Sequence, residues 1–360
     1  MLNIKLDHAL KFQLLVLLVV LLILEGLLIV HLIRVVENKD IGTIIPILDN
    51  SINQQLNTRR IDGLLVDENF TNIYPAAVVI DNHPDSRPNY GLSKASLVYE
   101  TLVEGSHTRF LIFYTPNKDQ DEPLKKIGPV RSARPYFVDI VKEYDALFAH
   151  AGGSPQAIRN IPEFGIHSMD EIAWWGEDYY WRVYSRSAPH NLFTSEENLA
   201  KALVDWQLSQ KSPDYRAWKF KSKLDNDISN DQEIYIDFSL NDDFDASYVY
   251  STTTKDYLRF QGGEEHLDAL TNQQVAVANV VVQYVNQEKV LDAVGRIQLE
   301  LTGQGDASIF RDGVQINGSW KRRSLDSRTI FYDEQDEEIY FKPGNIWIEI
   351  VPGSLQVTVK

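Results

Sequence analysis

The residue types best suited to chemistry gather in the first half of the chain, where apolar runs end. Asp81, Asn82 and His83 follow the run Ala76–Ile80, Glu100 falls late in the next run, and Arg109 leads into a third. Arg131 and Arg134 flank Ser132-Ala133, with Pro135 at a plausible first helical position. His150 closes another apolar run just before Ala151-Gly152-Gly153-Ser154, and His190-Asn191 follow Pro189. Two guanidiniums beside a helix N-terminus suit phosphate or carboxylate recognition, and a glycine pair lets backbone approach a ligand closely. Arg109, Arg131, Arg134, Ser154 and Asn191 are therefore the candidate ligand-binding residues. Asp81, Glu100, His150 and His190 are the candidate catalytic groups.

Each candidate has an ordinary structural alternative. Arg131 and Arg134 could pair with Asp139 or Glu143; Asp81 and Glu100 could be satisfied structural carboxylates; His150 and His190 could be buried hydrogen-bonding side chains. Ser154 does not sit in a nucleophile elbow, which needs serine between spaced glycines, so a Ser154–His190 hydrolase is disfavoured. A site from His83, Asp81 and His150 follows no specific metal-binding spacing, so no metal ligands are assigned and no cofactor is expected. A divalent cation beside a bound phosphate would be the exception. The aromatic stretch EIAWWGEDYYWRVYSRSAPH, with Trp174, Trp175, Tyr179, Tyr180 and Trp181, reads first as core and second as a stacking surface for sugar or lipid. Arg259, His266 and Asp268 form the best polar cluster of the second half and read as hairpin-stabilising.

The elements that must position these groups change character along the chain. Strand-like runs at Ala76–Asp81, Leu97–Leu102, Phe110–Tyr114 and Ala146–His150 alternate with helical stretches around Tyr136–Tyr144 and Ser195–Leu208, which predicts a layered α/β domain over 74–210. Thr194 or Ser195 can cap the latter helix, with Glu196 and Glu197 in its first turn. Residues 211–231 are polar and read as a linker. From 232 to 360, short β-type runs punctuated by Gly303, Gly305, Gly313 and Gly344 predict an all-β barrel or sandwich.

Upstream, Phe12–Ile33 is apolar over a length of about 33 Å as a helix, enough to cross a bilayer core of about 30 Å. The lone carboxyl of Glu25 costs about 2–3 kcal/mol, which the surrounding Leu, Ile and Val offset. No small-residue cleavage site follows it, so it reads as a single transmembrane anchor over 1–34 with a stalk over 35–73. Lys5 and Lys11 nearly balance Arg34 and Lys39; a short N-terminal tail favours export of the large C-terminal part. A net charge of −16 argues against nucleic acid as a partner. The absence of cysteine excludes disulfides, thiolate nucleophiles and Cys-type metal sites.

The stretches PAAVVIDNHPDSRPNYGLSKASLVYETLVEGSHTRFLIFY (75–114), KIGPVRSARPYF (126–137), DALFAHAGGSPQA (145–157) and SAPHNLFTS (187–195) match a known pattern in order. So do YLRFQGGEEHLDALTNQQVAVANVVVQYV (257–285), GSWKRRS (318–324) and KPGNIWIEIVP (342–352). Together they resemble the YerB-like family of bacterial cell-envelope proteins, mostly lipoproteins, without an established activity. The resemblance implies an extracytoplasmic, two-part globular region; the family's lipid-modified cysteine is replaced here by the apolar helix. The leading functional expectation is a membrane-anchored envelope protein that binds an anionic glycan, peptide or polyprenyl phosphate, or an envelope protein. The alternative is an enzyme similar to LytR-CpsA-Psr phosphotransferases, with Arg131 and Arg134 on pyrophosphate and Asp81 or Glu100 holding the cation. The loop PVRSARP lacks that family's Pro-Arg-Asp-Thr pattern.

Overall fold

The computed structural model describes residues 57–116, 122–222, 232–238, 241–285, 288–290, 292–353 and 355–360, together with Leu24, Glu25, Leu27 and Leu28. In the first half, the continuous apolar runs become strands β1 (Ala76–Asp81), β2 (Leu97–Leu102), β3 (Thr108–Tyr114), β4 (Leu147–His150) and the short β5 (Ser168–Asp170). Every residue of β1, β2 and β3 is buried, as expected of strands covered on both faces rather than strands with one wet face.

Among the described residues, three helices of nine or ten residues lie among these strands, with a four-residue turn of helix at Gly176–Tyr179. Helix α1 (Pro135–Glu143) and helix α2 (Pro155–Glu163) both begin with proline, whose missing N–H is no loss at that position. Helix α3 (Glu196–Asp205) starts at Ser195, whose hydroxyl accepts the Asn198 N–H at 3.1 Å, with two acidic residues in the first turn as expected.

The second half contributes β6 (Glu233–Asp237), β7 (Ala246–Ser251), β8 (Asp256–Gln261), β9 (Asn279–Val285), β10 (Gly303–Arg311), β11 (Val314–Arg322), β12 (Ile330–Asp333), β13 (Ile346–Pro352) and β14 (Gln356–Val359). The Asp312-Gly313 pair between β10 and β11 has both residues at positive φ, the two-residue turn whose twist suits a hairpin. A separate barrel or sandwich does not form. Instead β13 pairs in parallel with β2, matching Ile346 to Leu97 and Glu349 to Glu100. One ten-stranded sheet results, in the order β12-β11-β10-β9-β13-β2-β3-β1-β4-β5, drawn from both halves of the sequence. Strands β8-β7-β6-β14 form a second sheet, with short pairings of β8 to Glu264–Glu265 and Ala276–Val277. Buried Val, Ile and Trp line β9 and β13 much as they do the central strands of the first half, so they add to its sheet instead of closing on themselves.

Residues 57–360 form one compact unit, and 1–56 separate from it. Part of the stretch expected as stalk belongs to that unit: Ile61 and Asp62 are buried, and Gly63 passes so close to the Phe220 ring that a Cβ would stand 2.3 Å from it. Within the stretch expected as linker, Tyr215 and Trp218 are buried, and Trp218 packs against Phe331 and Phe341 while its indole N–H donates to the Thr329 carbonyl. Among the described residues, no helix is long and apolar enough to cross a membrane. The span expected at Phe12–Ile33 lies outside the described residues apart from Leu24, Glu25, Leu27 and Leu28, which are helical and exposed.

Candidate functional site

Sheet register brings the first two site residues together: Asp81, last in β1, is the direct partner of Arg109, near the start of β3. Arg131 arrives by the backbone. The segment after cis-Pro129 lies along β1, with the Asp81 N–H donating to the Pro129 carbonyl and the Arg131 N–H to the Val79 carbonyl. That places the Arg131 Nε 3.0 Å from Asp81 Oδ2. The same oxygen lies 2.6 Å from Nδ1 of His190, while Oδ1 accepts the His83 N–H at 3.2 Å. His190 stacks on His83 with ring centres 4.8 Å apart, and His107 meets the edge of His83 at 5.3 Å. The loop carrying His190 is held down by Arg186, which donates to the carbonyls of Ser86 and Pro88.

A cationic row runs from this carboxylate. The Arg109 guanidinium is buried and donates to the Ser132 carbonyl at 3.2 Å; burial, then the neighbouring charges of Arg134 and Arg131, push its pKa down to about 10. Arg134 pairs with Glu104 through two bonds of 2.6 and 2.9 Å. Burial, followed by His83 and Arg109, also lowers the His107 pKa, so its ring is neutral at pH 7. Three guanidiniums thus share two carboxylates, Asp81 and Glu104.

Beside Arg134, the N-termini of α1 and α2 are laced together. The Ala133 N–H donates to Gly152 O at 2.9 Å, and the Ser154 N–H to Ala133 O at 3.2 Å. Glycine at 153 permits this, since a Cβ there would stand 3.1–3.2 Å from Ile158 and Ala133. Between the two helix starts lies a cavity of about 170 Å³ lined by Arg134, Ser154, Arg159, Asp292 and Arg296. It is large enough for a phosphate or carboxylate group and too small for a whole glycan. A larger cavity of about 740 Å³ lies elsewhere; in it Arg59 pairs with Asp62 and Glu196 accepts the Leu124 N–H, while Lys94 and Glu122 stand exposed at its wall.

Not every expected site residue joins this cluster. Glu100 is fully buried against Arg259, with Asn82 and Thr108 donating to it. His150 is fully buried too. Its ring nitrogens lie 2.9 Å from the Gly152 carbonyl and 2.9 Å from the Ser168 hydroxyl, and burial lowers its pKa, so it is a neutral structural ring. Ser154 caps α2, accepting the Ala157 N–H at 3.3 Å. Asn191 accepts from Arg182 and donates to the Val183 carbonyl, clasping its own loop. Tyr179 and Tyr180 are buried as core, and Tyr184 is fully exposed; the side chains of Trp174 and Trp175 lie outside the described residues. Sequence reasoning assigned no role to Asp85, Glu104, His107, Arg159 and Arg296. Only the spacing His83-Pro84-Asp85, with His107 two residues before Arg109, hinted at part of this set.

The ten-stranded sheet is shared between the two sequence halves and carries its polar groups at strand ends. Residues 62–209 match the N-terminal domain, and residues 234–348 the C-terminal domain, of the family described as "Protein of unknown function (DUF3048)". The chain belongs to that family, the same one the sequence motifs pointed to. It is 31% identical over 293 residues to the Bacillus subtilis (strain 168) protein named "Putative lipoprotein YerB", covering 81% of this chain and 85% of that one. The crystal structure of YerB protein from Bacillus subtilis superposes with a TM-score of 0.73 at 28% identity, covering 84% of this chain and 99% of the other.

Proposed function

We propose that this chain is an extracytoplasmic envelope protein, held at the membrane by Phe12–Ile33, that binds an anionic group of an envelope glycan, peptide or polyprenyl phosphate. The observation that carries the reading is the row Arg109–Arg131–Arg134: three guanidiniums against two carboxylates, ending at a cavity between two helix N-termini. Helix N-termini and arginine forks favour the same ligand, a planar or tetrahedral oxyanion. Membrane attachment accords with the lipoprotein description of the relative. None of the 360 residues here is cysteine, so a thioether-linked lipid has no attachment point within this sequence and the apolar segment takes that role.

The phosphotransferase alternative loses two of its candidate groups, because Glu100 and His150 are buried and already partnered. Asp81 also carries an arginine and a histidine, which leaves the binding reading ahead.

The test is calorimetric titration of the full-length protein in detergent with inorganic pyrophosphate and with a short-chain polyprenyl phosphate. Micromolar binding that weakens at least tenfold in an Arg131→Ala/Arg134→Ala variant, shown folded by circular dichroism, supports the reading. Equal affinity in wild type and variant, or no binding by the wild type, overturns it.

A further inference from the structure

We propose that His83, Asp85 and His190 form a site for a divalent transition metal of the zinc class, with Asp81 as the carboxylate that orients His190. One ligand atom from each of the three residues lies within 4.8 Å of the others. A tetrahedral zinc site with bonds of about 2.0–2.1 Å needs its ligand atoms roughly 3.4 Å apart, so closure requires about an ångström of movement. The side chains can supply it: Asp85 is 75% exposed and His83 33%, on a short turn outside the sheet.

Two further observations favour a metal over a solvated cluster. First, His190 is already oriented. Its Nδ1 bonds Asp81 at 2.6 Å, which leaves Nε2 as the nitrogen a metal would take, the carboxylate–histidine–metal arrangement in which the outer carboxylate fixes ring and tautomer. Second, the His83 nitrogen that faces Asp85 is Nδ1, which accepts the Asp85 N–H at 3.2 Å and lies 3.6 Å from its Oδ2, so a metal taken at Nδ1 would reach the Asp85 carboxylate in place of that N–H. The His83 and His190 rings stack at 4.8 Å, so one ring must turn before both lone pairs meet a single metal, and His83, partly in solvent, is the one free to do so. Two imidazole nitrogens and one carboxylate oxygen suit zinc, cobalt or nickel and discriminate against magnesium and calcium, which prefer all-oxygen shells. Three protein ligands leave at least one position for water or a ligand atom.

The site is distinct from the anion cavity, which is lined from Arg134 onward. The two readings can therefore fail separately. The experiment uses full-length protein without a polyhistidine tag, in detergent and stripped with chelator. Zinc binding is followed by calorimetry, and cobalt binding by the intense visible bands of a tetrahedral centre. One equivalent of zinc is expected, with about a 100-fold loss of affinity in both His83→Gln and His190→Ala. Asp81→Asn should weaken binding about 10–100-fold, as loss of an outer-shell partner does elsewhere. Arg134→Ala, on the anion side, should bind zinc as wild type does. If His190→Ala does not fold, His83→Gln decides, since that side chain stands partly in solvent. Wild-type protein that takes up no more zinc than His83→Gln, or that binds magnesium as tightly as zinc, overturns the proposal.

Discussion

Two clusters in this molecule use the same residue types to opposite ends. Around Glu100, an arginine, two glutamates, a tyrosine and a histidine are sealed between the sheets: Arg259 from β8 pairs with Glu100 of β2, beside Glu349 of β13 and Tyr248 of β7. The Arg259 guanidinium lies 4.6 Å from the Trp347 ring, 5.3 Å from Tyr248 and 5.5 Å from Phe110. Around Asp81, an arginine and three histidines stand beyond the end of an interior strand with part of each side chain in reach of solvent. The first cluster has every charge matched inside the fold and serves to register one sheet on the other. The second keeps donor capacity uncommitted, and uncommitted capacity at a strand end is what a binding site requires.

The contrast breaks first at Arg259. Arg259→Met removes the cation from a pocket that water does not reach and leaves the Glu100 carboxylate with only Asn82 and Thr108. Removing one partner of a buried ion pair costs about 3–5 kcal/mol, far above the typical value of an exposed pair. Chemical denaturation should show that loss in the midpoint with little change in slope. A loss under about 1 kcal/mol would mean the cluster is wetter than its burial indicates.

The next effect is in acid. His266 is fully buried between Phe110 and Trp347, and burial, then Arg259 and Arg87, holds its pKa well below the usual value. The unfolded chain takes up a proton near pH 6.5 that the folded state refuses, so the fold has its full stability above that pH and loses it as the pH falls. The slope from this one residue approaches about 1.4 kcal/mol per pH unit below pH 6. His150 contributes in the same direction for the same reason. A His266→Leu variant should flatten the dependence between pH 6 and pH 5, measured by denaturation at each pH; an unchanged slope would show that acid acts elsewhere.

Much of this fold was legible because strand and helix signals are local. The continuous apolar runs Ala76–Asp81 and Leu97–Leu102, and the Ser195 cap with Glu196 and Glu197, carry their structure in adjacent residues. The joining of the two halves was not legible, because the parallel pairing of Ile346–Glu349 with Leu97–Glu100 links positions about 250 residues apart and leaves no mark in either segment. The same limit divides the site residues. Arg109, Arg131 and Asp81 were readable at strand ends, since strand ends are where an α/β sheet exposes its loops. Glu100 and His150 share that sequence signature, yet partners distant in sequence, Arg259 and Ser168, enclose them. Burial, which decides between a base and a structural ring, is set by those partners.

The smallest effect separates charge from shape within the buried cluster. Glu349 lies next to Glu100 in register, and burial, with the negative charge of Glu100 second, raises its pKa well above the usual carboxylate range. Burial thus favours its protonated form, and its Oε1 accepts the Tyr248 hydroxyl. Glutamine has the same shape, keeps an accepting oxygen for Tyr248, and offers an amide donor where the acid carries its proton. Below about pH 4, where both states carry the proton, Glu349→Gln should therefore change stability by less than about 1 kcal/mol, the scale of a single exchanged neutral hydrogen bond. It should also remove a pH-dependent term of definite sign. An acid whose pKa is raised in the fold favours folding below the unfolded value, near 4.3, and opposes it as the pH rises toward the folded value. The variant should gain on wild type as the pH rises above about 4.3 and lose that gain below about pH 4. A loss of 3 kcal/mol or more at pH 7 would instead mean that Glu349 is ionised and shares Arg259 with Glu100, making the sealed cluster an ion triad rather than a pair with a neutral neighbour.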